Sequence, residues 1–177
     1  MASKSRVVQY KSDELDSEFR KYVIGLFEKA KKSILIITGE GAAFGYQDVR
    51  WALKDALDRG VKCSVYATDP LYASKWLSYG VALYKGKEKV DDHFLVVDGV
   101  SYIHSFPHER KKIGVREGEV HYGDASGAGG IVKKFKSLVR KAERVTEAED
   151  PFDRIMKHPR DLGVETQSSD IDDVVYG

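Results

Sequence analysis

Two ionisable side chains, Asp91 and His93, stand two residues apart in the stretch Val90-Asp91-Asp92-His93-Phe94-Leu95-Val96-Val97-Asp98-Gly99-Val100-Ser101-Tyr102-Ile103-His104-Ser105. In an extended segment that spacing puts both on one face. An imidazole beside a carboxylate can attack, move a proton or contact a phosphate, so the pair is a candidate site. His104 closes the second half of the same stretch, and Glu119 and His121 share a later short run. Asp91, His93 and His121 would offer three ligands to a metal. However, none of His93, His104, His108, His121 and His158 has zinc-type spacing to another His or Cys, and no metal or other cofactor is expected. Each of these histidines also makes sense as an ordinary hydrogen-bonded side chain. Neither Cys63 nor any serine sits at the sharp, exposed turn that a Ser or Cys triad needs. The loop Gly39-Glu40-Gly41-Ala42-Ala43-Phe44-Gly45 has the spacing G-x-G-x-x-x-G and no following Lys-Ser/Thr. It therefore lacks the dinucleotide and P-loop signatures and reads as a rim to whatever site the strand ends make.

The elements that would position these groups follow from periodicity. The stretch itself reads as a β-hairpin: Phe94 to Val97 and Val100 to Ile103 are apolar runs joined at Asp98-Gly99, a strong hairpin turn signal. Upstream, Leu15, Phe19, Tyr22, Val23, Leu26, Phe27 and Ala30 fall on one helical stripe within 13–32, with Ser12 or Asp13 to cap its start. Ser33 to Thr38 is a continuous apolar run, the pattern of a strand covered on both faces. A helix over 47–59 stops at Gly60, strands follow at 61–67 and 81–84, and a short helix lies between them at 71–79. A further strand is predicted over 119–122, a small-residue turn over 124–130, and an amphipathic helix over 131–144. Val7, Val8 and Tyr10 are an optional edge strand in an otherwise loose segment, 1–12. The alternation of helices and strands predicts an α/β fold, a three-layer α/β/α sandwich around a mixed β-sheet, over 13–145.

Charge is unevenly distributed. Residues 1–145 carry 26 Lys/Arg against 19 Asp/Glu, and residues 146–177 carry 3 against 9. A basic body suits phosphate-bearing or nucleic-acid partners, and the acidic tail, read as disordered, is a candidate docking segment for a protein partner. The predicted cationic contacts are the loop 108–116, with Lys111, Lys112 and Arg116, and the outer face of helix 131–144. The single cysteine, Cys63, excludes an internal disulfide. No secretory or membrane-spanning run is visible, so the expectation is a cytoplasmic chain with no membrane contact.

The hairpin and its surroundings resemble the phospholipase D-like phosphodiesterases, whose motif is H-x-K-x-x-x-x-D followed by an apolar strand and G-S-x-N. Asp91-Asp92-His93-Phe94-Leu95-Val96-Val97-Asp98 fits that register from its aspartate, and His104-Ser105 takes the place of Gly-Ser. Glu119-Val120-His121-Tyr122 looks like the family's glutamate strand, and Phe135 to Ala142 like its closing helix. The likeness covers about residues 15–145. It implies a phospholipase D-like fold and, with one motif copy, a homodimer that would bring two Asp91 and two His93 near its axis. In the family the motif histidine attacks phosphorus and the lysine holds the phosphate. Here Asp91 stands at the histidine position and His93 at the lysine position. The resemblance therefore implies the fold while arguing against the family reaction, which needs a nucleophile, an acid and positive charge. The expected function is a non-catalytic binding or regulatory module for nucleic acid or another phosphate-bearing ligand. Its expected binding residues are Asp91, His93, Asp98, His104, Ser105, Glu119, Lys111, Lys112 and Arg116. The alternatives are a divergent dimeric phosphodiesterase or nuclease, with His93 attacking and His104 assisting, and an adaptor working through the acidic tail.

Overall fold

The computed structural model describes residues 5–13, 15–41, 45–70, 72–107 and 116–146. Loop residues 108–115, which include Lys111 and Lys112, and all of the acidic tail after Thr146 lie outside the described residues.

An eight-stranded mixed sheet, in the order β1-β7-β6-β5-β2-β3-β4-β8, forms the middle layer. Its strands are β1 (Arg6–Lys11), β2 (Ser33–Thr38), β3 (Lys62–Ala67), β4 (Ala82–Lys85), β5 (His93–Val97), β6 (Ser101–Ser105), β7 (Glu117–Tyr122) and β8 (Glu143–Val145). β2, β3 and β4 run parallel, and every other pairing is antiparallel. Helices α1 (Ser17–Lys29) and α2 (Gln47–Asp58) and a 3-10 helix (Ala73–Tyr79) cover one face. Their stripes, including Val23, Phe27, Val49, Leu53 and Trp76, pack with Ile34, Ile36, Cys63, Val65, Leu95, Ile103 and Val120. Helix α3 (Ala125–Val139) covers the other face, setting Phe135 and Leu138 on Ile37 and Tyr66, and Ala128 on Val96 and Tyr102. The continuous apolar run of β2 is thus buried from both sides, as its composition requires. Cys63 is buried within β3, and burial pushes its thiol up to about 12, so it acts as a small hydrophobe.

The predicted hairpin forms between β5 and β6. Asp98 and Gly99 both have positive φ, 53° and 68°, and the Val100 N–H donates to the Val97 carbonyl at 3.1 Å. Positive φ at both central residues belongs to the type I′ turn, whose twist matches the flanking strands. Helix α1 starts later than expected, with Asp16 rather than Ser12 or Asp13 at its N-cap position and no cap bond from the Asp16 side chain. Ser12 and Asp13 instead reach forward, the Ser12 hydroxyl accepting from Phe19 N–H at 2.8 Å and Asp13 from Ser17 N–H at 2.9 Å.

Three expectations change. Residues 6–11 are not loose: the optional edge strand at Val7, Val8 and Tyr10 forms as β1 and pairs with β7 from Arg6↔Tyr122 to Lys11↔Glu117. The stretch 124–130, read as a turn, is the first part of α3, capped by Asp124 accepting from Gly127 N–H at 2.9 Å. Its glycines disfavour helix locally, but a Cβ at Gly127 would stand 2.5 Å from the Tyr102 hydroxyl. Close packing of the helix start on β6 therefore demands glycine there, and tertiary contact overrides propensity. The predicted end of that helix leaves it after Val139, and Glu143–Val145 becomes β8, antiparallel to β4.

Candidate functional site

The parallel strands end at Thr38 and Ala67, and the starts of α1 and α2 lie at that same end of the sheet, as does His93, the first residue of β5. In the β5–β6 register His93 stands opposite Ser105, and Phe94 opposite His104. Directly paired residues share a face and successive residues alternate. His93 and Ser105 therefore lie on the α1/α2 side of the sheet, whereas His104 lies on the α3 side. His104 and His93 do not meet within one chain, so His104 cannot assist His93 there.

On the α1/α2 side the His93 ring is fixed by the start of the Gly-rich loop. Gly39 N–H donates to His93 Nδ1 at 3.3 Å, and Thr38 Oγ1 lies 3.3 Å from the same nitrogen. Thr38 Oγ1 in turn accepts from Gly41 N–H at 3.2 Å. An N–H pointing at Nδ1 assigns that nitrogen a lone pair and the ring proton to Nε2. Ser105 is buried and its Oγ lies 2.5 Å from the Tyr10 hydroxyl. Burial pushes the Tyr10 phenol up to about 12 against the lowering effect of that Ser105 hydrogen bond, so Tyr10 stays protonated at any physiological pH. Gly118 stands opposite Ser105, and a Cβ there would collide with the His104 carbonyl and come within 2.6 Å of the Tyr10 hydroxyl. Only glycine lets β7 approach this closely.

Asp91 precedes β5, so the alternation that would have aligned it with His93 does not apply. Its side chain is 58% exposed and pairs with Lys89 at 2.8 Å. Arg116, expected on an exposed basic loop, is instead half-buried. Its Nε donates to the buried Asp16 carboxylate at 3.1 Å, and its guanidinium lies 5.1 Å from the Phe19 ring centre. The Tyr46 hydroxyl donates to the same Asp16 oxygen, and Arg20 pairs with Asp48 while stacking on Tyr46 at 4.6 Å. These charges are balanced internally and hold the starts of α1 and α2 to β7 and β1.

The α3 side carries a second polar group. His104 Nε2 lies 2.8 Å from Asp92, and its ring stacks on Phe94 at 4.6 Å and meets the Phe106 edge at 5.0 Å. Glu119, opposite His104 in the register, lies 3.0 Å from His121 Nε2. His121 stacks on Tyr102 at 4.3 Å, and the Tyr102 hydroxyl donates to Asp124 at 3.1 Å. The sequence does not reveal Asp92, Phe94 and His121 as partners of His104 and Glu119, because face membership depends on register. The i, i+2 spacing of Glu119 and His121 is the one sequence signal available. Among the described residues no group of three His, Cys, Asp or Glu is arranged to hold a metal. In particular, Asp91, His93 and His121 are separated by exposure and by face.

Asp98 lies at the other end of β5, about 17 Å from His93 along the strand. Its carboxylate accepts from Lys31 N–H at 2.9 Å, Lys32 N–H at 2.7 Å and Ser33 N–H at 2.9 Å. Burial would raise its pKa, but the three backbone donors outweigh that and hold it below the usual carboxylate value. Although it matches the motif's aspartate, Asp98 anchors the hairpin turn to the start of β2, at the end of the strand away from His93.

Comparison with solved structures gives three informative likenesses. Nuc, a phospholipase D family member from Salmonella typhimurium, superposes with a TM-score of 0.64 at 17% identity over 80% of this chain and 99% of its own. NucT from Helicobacter pylori gives 0.63 at 12% identity, covering 80% of this chain and all of its own. TrmBL2, an archaeal chromatin protein described as having a novel mode of DNA binding, gives 0.58 at 23% identity over 81% of this chain; the chain spans 54% of that protein's length. No family model and no curated protein matches the sequence. At these identities the likeness establishes the fold, which is phospholipase D-like, α/β with a mixed eight-stranded sheet. Among the described residues no helix is long and apolar enough to cross a membrane.

Proposed function

We propose that this phospholipase D-like domain is a non-catalytic binding module for phosphate-bearing ligands, with nucleic acid as the ligand class. The carrying observation is the state of His93. Its Nδ1 lone pair receives the Gly39 N–H, so the neutral ring in this arrangement carries its proton on Nε2 and would have to shift it before that nitrogen could attack phosphorus. Asp91, at the position where the resembling family keeps its nucleophile, adds negative charge turned to solvent beside Lys89. Neither residue supplies the permanent positive charge that would stabilise a phosphoryl transition state. Phosphate contact then falls to the exposed cations Lys133, Lys134, Lys136 and Arg140 on and just beyond α3, joined by Lys111 and Lys112 from the 108–116 loop. The likeness to a chromatin protein described as binding DNA supports the ligand class. A homodimer pairing two copies at the His93 end accompanies this reading, as does a cytoplasmic location.

Fluorescence anisotropy with labelled single-stranded and duplex DNA tests the proposal, alongside hydrolysis of bis-(p-nitrophenyl) phosphate with and without EDTA. The expected result is salt-sensitive DNA binding with no turnover. Changing Lys133, Lys134, Lys136 and Arg140 to Gln should flatten the log–log salt dependence by about 0.9 for each phosphate that is no longer neutralised. Turnover that disappears in His93→Ala would overturn the reading in favour of a divergent phosphodiesterase.

A further inference from the structure

Helix α3 contains no Asp or Glu, and its chain continues through Arg140 and Lys141 to Arg144 on β8. Lys133, Lys134, Lys136, Arg140, Lys141 and Arg144 are all exposed. Lys141 pairs with Glu88 at 2.8 Å, and Lys134 Nζ lies 4.9 Å from the Phe94 ring centre. Among the described residues, Lys133, Lys136, Arg140 and Arg144 make no ion pair. The chain therefore displays a concentrated cationic face on the α3 side of the sheet, next to where β8 ends.

The sequence that follows has the opposite character. Residues 147–177 hold nine acidic residues against Arg154, Lys157 and Arg160. Segment 161–177 carries Asp161, Glu165, Asp170, Asp172 and Asp173 and no Lys or Arg, with Ile171, Val174, Val175 and Tyr176 interleaved. From Thr146, the intervening 147–160 can reach about 45 Å when extended. Helix α3 is only about 22 Å long, so the acidic segment can lie anywhere along it.

We infer that segment 161–177 docks in cis on the cationic α3–β8 face and competes there with the phosphates of a nucleic acid. Tethering raises the segment's local concentration to about the millimolar range, so a contact too weak to hold a free peptide is populated within the chain. Carboxylates spaced along an extended segment meet the same cations that phosphates would meet. The contact weakens as salt shortens the Debye length. Its competitive role rests on the nucleic-acid reading above, whereas the contact itself does not.

The test uses the full chain and a full-length variant carrying Asp161→Asn, Glu165→Gln, Asp170→Asn, Asp172→Asn and Asp173→Asn. Zero-length carbodiimide cross-linking on a mixture of isotopically light and heavy chains reads the contact directly. At low salt, same-label links should join Lys133, Lys134, Lys136 or Lys141 to the acidic segment and disappear at high salt. In parallel, the neutralised variant should bind labelled DNA about tenfold more tightly at about 50 mM salt, with the two proteins converging by about 300 mM. Absence of these links, or links only between differently labelled copies, overturns the cis contact. Links present with no DNA binding by either protein keep the contact and overturn the nucleic-acid reading. Links present with equal DNA affinity for both proteins overturn the competition.

Discussion

The two ends of strand β5 hold their carboxylates and imidazole in different settings. At the turn end, Asp98 retains the family residue, sits at φ 53° and gathers three backbone N–H donors from the α1–β2 junction. At the open end, Asp91 and His93 stand at the positions where the resembling motif has histidine and lysine. Asp91 is exposed, and His93 is tied to the Gly39 amide. The contrast separates what the fold needs from what the reaction needs. A carboxylate that terminates two elements cannot be lost without exposing orphaned donors. An exposed side chain such as Asp91, just before the strand, can be exchanged at little cost to stability.

The largest effect should come from Asp98→Ala, which removes the two carboxylate oxygens that accept three backbone hydrogen bonds and places a Cβ-bearing residue without a local partner at positive φ. The expected loss is about 3 kcal/mol in urea unfolding. Asp98→Gly should recover the backbone share alone, and a loss below about 1 kcal/mol for Asp98→Ala would erase the proposed difference between the two ends. The same residue shapes the acid limb. Its folded pKa is depressed, so its contribution is present above the unfolded carboxylate value, about 4, and is lost as pH falls through the folded value. Stability measured from about pH 6 to about pH 2 should fall less steeply in Asp98→Asn than in the parent chain.

At the open end, Ser105→Ala leaves the buried Tyr10 hydroxyl without its partner and should cost about 1 kcal/mol. Tyr10 has the opposite pH sense. Its folded pKa is raised to about 12, so its contribution is complete below the unfolded value of about 10 and is lost as pH rises towards about 12. Tyr10→Phe should remove that part of the alkaline limb. The smallest effect belongs to Asp91→Asn. Its partner Lys89 is 86% exposed, and an ion pair in that setting contributes about 0.5 kcal/mol or less. If Asp91→Asn destabilises as much as Ser105→Ala, the open end is a structural element as well, and the contrast with Asp98 fails.

Much of this was legible in the chain. Asp98-Gly99 announced its turn because positive φ is a local requirement, and the helical stripes and apolar runs marked α1, α2, β2 and β5 through their periods. The identities of Asp91 and His93, and their departure from the motif, are sequence facts. Other features were hidden for identifiable reasons. Gly127 argues against a helix until Tyr102 on β6 is there to be packed against, whereas Gly129 and Gly130 sit in open space within the same helix. Arg116 looks like an exposed cation until Asp16, far upstream, is brought beneath it. Glu143–Val145 reads as a helix end until β4 offers an edge.

The sequence by itself determined the elements, the hairpin turn and the presence of Asp91 and His93 at the mouth of the hairpin, because each depends on residue type and on neighbours a few positions away. Tertiary structure decided which of those residues share a site. The face of a strand residue is fixed by register against partners distant in the chain, and a slip of one residue would exchange the two faces. The pairing of His93 with Ser105 and of Phe94 with His104 is what parts the two histidines, assigning one to Gly39 and the other to Asp92.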